Sequence, residues 1–544
     1  MASDADANPF CISQASNATE GWTSVTVSTT TTSRTVLGNI SPNRRSRNPS
    51  SDPMQRLSAT GSNGSRCSLD TVKPVMQSVV RAIPARHGLR HFGRMLRSDK
   101  GDAYACSRSV EQIDDFWSHS WNGAKWDKIM TLFLYYNSVP CAVIGLVAAI
   151  AYMVFMRLVG WNQIGKFDFY ISPVVASLAC GLAMSYWPSR RQVFLDRACI
   201  RQDDAAAKRD GILSLGFIMR KSSNMLCLWD ESYFTRLWCV FEIAARLKIM
   251  EHCDDKVPKF TIIPCFYGFM TCTAMVANVS FVVFYRLSDE LLWEGKSHAV
   301  HEEMLMNFMA LTFAILFLMC PIIKRVKAFA LQKEQLQTFS IASAQCYCCD
   351  VNHTHPETGA EIPCDRVLIE QTVEDWFNTK GAFNEYVRST LGTQVKASAN
   401  LPYRFVLLAC LPLGYWNLRK AIGFHERGVQ DAGYRRALVF MFYEVLLCGP
   451  MVWLIILKIT HKVARRSSEL TLCARVLAAM ACTLMVLAFL VLESVMVALN
   501  WQIGVSVMSA LSVLVLGREY LSVPSFCALS RARHRPSLVV PTGD

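Results

Sequence analysis

Six side chains of metal-binding type fall within nineteen positions: Cys346, Cys348, Cys349, His353, His355 and Cys364. Thiolates and imidazoles at such short spacing can supply the four tetrahedral ligands of a zinc ion. The first choice is Cys346, Cys349, His353 and Cys364, with Cys348 and His355 nearly as good, and the spacing fits no standard finger. The competing reading is a loop of reduced cysteines with a His355–Gly359 turn and no metal. A second chemistry belongs to Glu444 and Glu493, which stand inside long apolar runs. An acid in a bilayer marks a pathway or, more blandly, a protonated group making an interhelical hydrogen bond. Asp196 supplies a third, because it ends the apolar run Val193-Phe194-Leu195. A carboxylate at the C-terminal end of a parallel strand sits where such sheets bind ligands, or it caps the following turn.

Glu444 and Glu493 stand on expected membrane helices, and the other groups stand on polar segments between such helices. The 544 residues are 52% hydrophobic and 18% charged, whereas soluble domains carry about a quarter charged residues. The 21 cysteines scatter through apolar runs, as at Cys141, Cys180, Cys272 and Cys448. There a free thiol packs as a small hydrophobe, so a reduced cytosolic side is expected and not a disulfide framework. Of the net charge of +13, residues 1–100 hold a localised share, with 13 Lys/Arg against 6 Asp/Glu. A localised excess argues against a nucleic-acid-binding surface. Asp4 and Asp6 interrupt the opening residues, so no secretory leader is expected and the first membrane helix serves as its own insertion signal. Residues 1–110, rich in Ser, Thr and Arg, show no sustained apolar period and are expected to be a disordered tail. Within them Arg81, Arg86, Arg90, Arg94 and Arg97 recur at near-helical spacing. They suit anionic headgroups or a solvated basic tail, and the second is favoured.

Apolar runs of bilayer-crossing length occur at about eight places: 138–159, 167–187, 260–285, 304–323, 401–417, 437–459, 475–498 and 500–517. Basic flanks after the fourth, sixth and eighth (Lys324, Arg325 and Lys327; Lys462, Arg465 and Arg466; Arg518 and Arg531) are expected in the cytosol. Four hairpins then leave both termini cytosolic in a multi-pass protein of the lipid bilayer. The basic loop 418–436 disagrees, which leaves the span count good to about one. The expected organisation is the tail 1–110, a domain split over 112–137 and 188–250, and a transmembrane hairpin at 138–187 inserted between its halves. A second hairpin follows at 260–323, a cytosolic Cys/His insert at 324–400, a transmembrane bundle at 401–517 and a basic cytosolic tail at 518–544.

The split domain alternates strand and helix signals. Strands are expected at Ile113–Ser118, Val193–Leu195 and Met225–Trp229, and helices at 124–136, 205–221 and 234–250, which implies a parallel sheet covered by helices. Its words resemble known ones. Phe116-Trp117-Ser118-His119-Ser120-Trp121 resembles the opening of heterokaryon-incompatibility domains and the first strand of Toll/interleukin-1-receptor (TIR) domains. Phe194-Leu195-Asp196-Arg197-Ala198-Cys199-Ile200-Arg201-Gln202-Asp203-Asp204 is similar to a motif of the former family. Tyr233-Phe234-Thr235-Arg236-Leu237-Trp238-Cys239-Val240-Phe241-Glu242 is similar to the TIR signature, although Arg236 or Leu237 stands where that family has Ser. The resemblance covers under a fifth of the chain and implies a flavodoxin-like, TIR-like fold. It also implies that Glu242 is the catalytic carboxylate with which some TIR domains cleave NAD, with Ser118, Asp196 and Trp238 as ligand-binding neighbours. Helical spacing puts Trp238 and Glu242 on one face, flanking one ligand. The expected function is a membrane-anchored signalling or scaffold protein acting by self-association or partner recruitment. The alternatives are an NAD glycohydrolase using Glu242, and a transporter or channel regulated by the TIR-like domain.

Overall fold

The computed structural model describes residues 80–97, 102–159, 168–201, 214–251, 259–293, 334–354, 364–391, 401–426, 431–466 and 500–520, with shorter stretches between 204 and 211, 309 and 328, and 477 and 492. It is mostly helical around one mixed sheet. The strands are β1 (Arg81–Pro84), β2 (Arg108–Ser109), β3 (Ile113–His119), β4 (Gln192–Phe194), β5 (Ser222–Trp229) and β6 (Lys259–Pro264), in spatial order β2-β1-β4-β3-β5-β6. β4, β3, β5 and β6 run parallel, and β1 pairs antiparallel with both β2 and β4. Parallel strands buried on both faces read as continuous apolar runs. That is how Phe116, Trp117, Leu226 and Leu228 come to be buried together, and Phe116 stacks on Phe194 at 4.7 Å.

The helices are α1 (Ala85–Arg97), α2 (Lys125–Leu158), α3 (Asp168–Tyr186), α4 (Asp196–Cys199), α5 (Leu215–Arg220), α6 (Leu237–Glu251), α7 (Phe266–Trp293), α8 (Tyr347–Asp350), α9 (Asp365–Phe377), α10 (Lys380–Tyr386), α11 (Tyr403–Glu426), α12 (Asp431–Tyr443), α13 (Gly449–Arg466) and α14 (Trp501–Tyr520). Four helices among the described residues are long and apolar enough to cross a bilayer: Lys125–Leu158, Phe266–Phe284, Tyr434–Lys462 and Trp501–Tyr520. The third runs through α12 and α13 across a π-turn at Glu444–Cys448. The apolar stretch Ile171–Tyr186 of α3 is shorter. Among the eight expected spans, 304–323 falls mostly outside the described residues and 475–498 is described over about half its length. The fifth lies within α11, which extends to Glu426 and takes in Arg419 and Lys420 from the expected basic loop.

Three boundaries differ from expectation. The helix expected at 124–136 and the span at 138–159 are one 34-residue helix that passes through Pro140. Its first half is buried (Ile129, Leu132, Phe133, Leu134), whereas Val139, Val143, Val147 and Leu158 are exposed. The span expected from residue 260 begins at Phe266, because Lys259–Pro264 is the outer strand β6 and only Cys265 separates it from α7. Residues 80–110, expected in the disordered tail, contribute β1, β2 and α1. Ala82, Ile83, Leu89 and Leu96 are buried there, and Arg81 donates to Ser107 Oγ at 2.9 Å. Residues 1–79 and 521–544 lie outside the described residues. The helix expected at 205–221 is described as a helix over Leu215–Arg220.

The sheet joins apolar helices at three seams: β3 into α2, α3 into β4, and β6 into α7. At the last, Thr131 Oγ1 donates to the Cys265 carbonyl at 2.7 Å and accepts from Gly268 N at 3.1 Å. A Cβ at Gly268 would lie 2.2 Å from Thr131 N, so only glycine allows α2 and α7 to meet backbone to backbone.

Candidate functional site

β4 lies on one side of β3 and β5 on the other. Ligands of parallel sheets bind beyond the strand ends where successive connections depart in opposite directions, here between β3 and β5. Ser118 on β3 is paired in register with Cys227 on β5. Beyond β5 the chain forms the turn Tyr233–Thr235 and then α6, which brings Tyr233 and Glu242 back over this gap. Ser118 Oγ donates to Glu242 Oε2 at 2.5 Å and is hydrogen-bonded to the Tyr233 hydroxyl. Among the described residues no Lys or Arg pairs with Glu242. Burial pushes its carboxyl up to about 8, against the Ser118 hydrogen bond, which lowers it, and with Asp196 adding to the rise. At neutral pH the group is therefore mostly the protonated acid.

Beside it lies a charged cluster. Lys128 and Asp230 form a buried ion pair at 2.6 Å, and Lys128 also donates to the Ser120 carbonyl. Asp230 Oδ1 accepts from Ser232 N at 2.9 Å and Ser232 Oγ at 2.7 Å, and Ser232 Oγ is hydrogen-bonded to Ser120 Oγ at 2.8 Å. A Cβ at Gly123 would lie 1.9 Å from Asp230 Oδ2, so the turn into α2 requires glycine to pass the carboxylate. Between the clusters, Trp121 Nε1 donates to Asp196 Oδ2 at 3.0 Å, and Asp196 Oδ1 accepts from Arg197 N at 2.6 Å. Asp196 thus holds both its own turn and an aromatic side chain of the β3–α2 connection. His119 packs edge-on to Trp121 at 4.5 Å. Burial lowers its pKa, with Asp196 acting in the opposite direction. Its Nε2 is buried with no hydrogen-bond partner among the described residues.

Ser118, Asp196 and Glu242 therefore gather at the strand ends, while Trp238 turns elsewhere. Its Nε1 donates to Asp365 Oδ2 at 3.1 Å. The expected face shared by Trp238 and Glu242 is split: the indole serves α9 and the carboxylate serves the sheet. Tyr233 stands within the TIR-like word without having been singled out, as does His119 within the first word; Lys128 and Asp230 carry no local signal. Their pairing depends on the turn that closes over Gly123.

In the 324–400 segment, Cys349 Sγ lies 4.0 Å from Cys348 Sγ, 3.9 Å from Cys364 Sγ and 3.8 Å from His353 Nε2. These four ligand atoms all fall within 4.8 Å of one another. Cys346, the expected fourth member, instead contacts Cys348 at 3.2 Å and groups with Cys348 and Asp365. His355 lies outside the described residues. In the membrane bundle, Glu444 accepts a hydrogen bond from Asn417 Nδ2, so α11 and the π-turn are joined by a satisfied acid. Glu493 lies outside the described residues. Compared with known protein families, curated proteins and solved structures, the chain matches none.

Proposed function

We propose that this chain is a membrane-anchored signalling protein built on a TIR-like domain of flavodoxin-like topology, and that the domain cleaves NAD between nicotinamide and ribose at Glu242. The order β4-β3-β5-β6 of the parallel strands supports the topology, since in sequence terms it reads second, first, third, fourth. The observation that carries the chemistry is Glu242, an acid without a cationic partner among the described residues, bonded to Ser118 at the gap between β3 and β5. The nicotinamide ring of NAD bears a positive charge. Its arrival beside a protonated acid favours release of the proton, leaving a carboxylate where the ribosyl oxocarbenium develops. The C1′–N bond then breaks with its electron pair passing to nicotinamide, water adds at C1′, and its proton returns to a carboxylate. Ser118 and Tyr233 orient Glu242 through that step. Incubating the purified chain with NAD tests this: nicotinamide release that disappears in Glu242→Gln supports it, and NAD left intact by the wild type overturns it.

A second reading, self-association or partner recruitment without turnover, is favoured by the three seams between sheet and helices. They hold the domain against the bilayer, where two copies meet in a plane at high effective concentration. The basic flanks of the spans support eight crossings with both termini in the cytosol. Subunit counting in membranes tests this reading, and a strict monomer at high surface density would remove it.

A further inference from the structure

The cysteine cluster beside α6 is a separate centre from the strand-end acids, and its geometry has the dimensions of a metal site. A tetrahedral zinc ion with Zn–S bonds of about 2.3 Å and Zn–N of about 2.0–2.1 Å sets ligand atoms roughly 3.5–3.8 Å apart. The three distances from Cys349 Sγ, 4.0, 3.9 and 3.8 Å to Cys348, Cys364 and His353, lie close to those edges. The 3.2 Å between Cys346 and Cys348 is too short for two ligands of one tetrahedron. The backbone is shaped for the same set. Asn352 and His353 both adopt left-handed conformations, with φ of 51° and 57°. His353 N donates to the Cys348 carbonyl at 2.7 Å, closing the chain after α8 so that the imidazole returns over Cys349. Asp365 N donates to Cys348 Sγ at 3.3 Å, the type of outer hydrogen bond that stabilises a metal-bound thiolate.

We propose that Cys348, Cys349, His353 and Cys364 bind one zinc ion in a closed tetrahedral site that clamps the 345–377 segment onto α6. Four protein ligands leave no open coordination position, so the role is structural. Three thiolates with one imidazole select zinc over the hard cations, which prefer oxygen. The clamp has three further contacts. Leu237 N donates to the Gln345 carbonyl at 2.9 Å, Trp238 Nε1 bonds Asp365 immediately after the ligand Cys364, and Trp376 of α9 stacks on Phe241 at 5.7 Å. All three grip the first turns of the helix that carries Glu242. The metal site thus fixes the position of Glu242 without touching substrate. It does not depend on the NAD reading, because metal content is measured without turnover.

The test uses the full chain purified in detergent. Elemental analysis should find one zinc per chain. Replacement by cobalt should produce thiolate charge-transfer bands and the intense visible bands of a tetrahedral site. Cys349→Ser and Cys364→Ser should lose the ion, and Cys346→Ser should keep it with an unchanged cobalt spectrum. Chelation should raise hydrogen exchange across Leu237–Glu251 and leave β3 and β5 unchanged. A wild-type protein without stoichiometric metal, or an octahedral cobalt spectrum, would overturn the site even if the ligand variants do not fold. Loss of the ion in Cys346→Ser would overturn the ligand assignment, and unchanged exchange in α6 would overturn the clamp.

Discussion

Two polar clusters lie at the same edge of the sheet, and they handle charge differently. Lys128 and Asp230 neutralise each other at 2.6 Å, Lys128 also donates to the Ser120 carbonyl, and Asp230 Oδ1 accepts from Ser232. Among the described residues the hydrogen-bonding company of Glu242 is hydroxyl, from Ser118 and through it Tyr233. A buried ion pair whose two members are also held by neighbouring hydrogen bonds is a structural joint, here between β5 and the start of α2. An acid kept protonated by burial, with no partner charge, is poised to change state when a cation arrives. Proximity on the strand ends does not separate the two clusters, but compensation of charge does.

The widest way to break the contrast is to remove half of the pair. Asp230→Ala should destabilise the protein by about 3–5 kcal/mol, because Lys128 remains buried without a counter-charge. Lys128→Met combined with Asp230→Leu should recover most of that loss, as measured by denaturant or thermal unfolding in detergent. An Asp230→Ala variant as stable as wild type would make the pair incidental.

The acid side of the contrast predicts a pH dependence. The folded carboxyl of Glu242 titrates at about 8, above its ordinary value of 4.5. Between those values the folded state holds a proton that the unfolded chain releases, so stability falls as pH rises through this window. Wild type should lose about 1–3 kcal/mol relative to Glu242→Gln over that range, part of the shift being screened by solvent. Parallel stability curves for the two proteins would show that Glu242 is ionised in the fold. The smallest effect concerns the link between clusters. Trp121→Phe removes the hydrogen bond to Asp196 and should cost about 0.5–1.5 kcal/mol without altering either end.

The acid side of this contrast was legible in the sequence and the ion pair was not, for reasons that differ by residue. Ser118, Asp196 and Glu242 were readable because each ends or follows a short apolar run, inside words of recognisable order. Their neighbour Trp238 misled, since spacing of four residues fixes a shared helix face but not what packs on it; Asp365 lies 127 residues further on. β6 was hidden because Phe260, Ile262 and Ile263 run straight into an apolar helix, and periodicity does not divide a continuous apolar run. β1 was hidden for the opposite reason: four residues beginning with Arg81 and ending at Pro84 form a strand only through pairing with the two-residue β2 and with β4, which lies over a hundred residues away. Cys348 and Cys346 differ through the left-handed turn at Asn352 and His353, which residue spacing does not encode.

The proposal that Glu242 cleaves NAD, in a domain joined to apolar helices at three seams, stands or falls on one assay. Nicotinamide release from NAD by the reconstituted full chain, compared between wild type and Glu242→Gln, tests it most directly. Turnover is expected in wild type and none above background in the variant, with unfolding at acidic pH unchanged. Equal turnover in both proteins, or intact NAD in both, would contradict it.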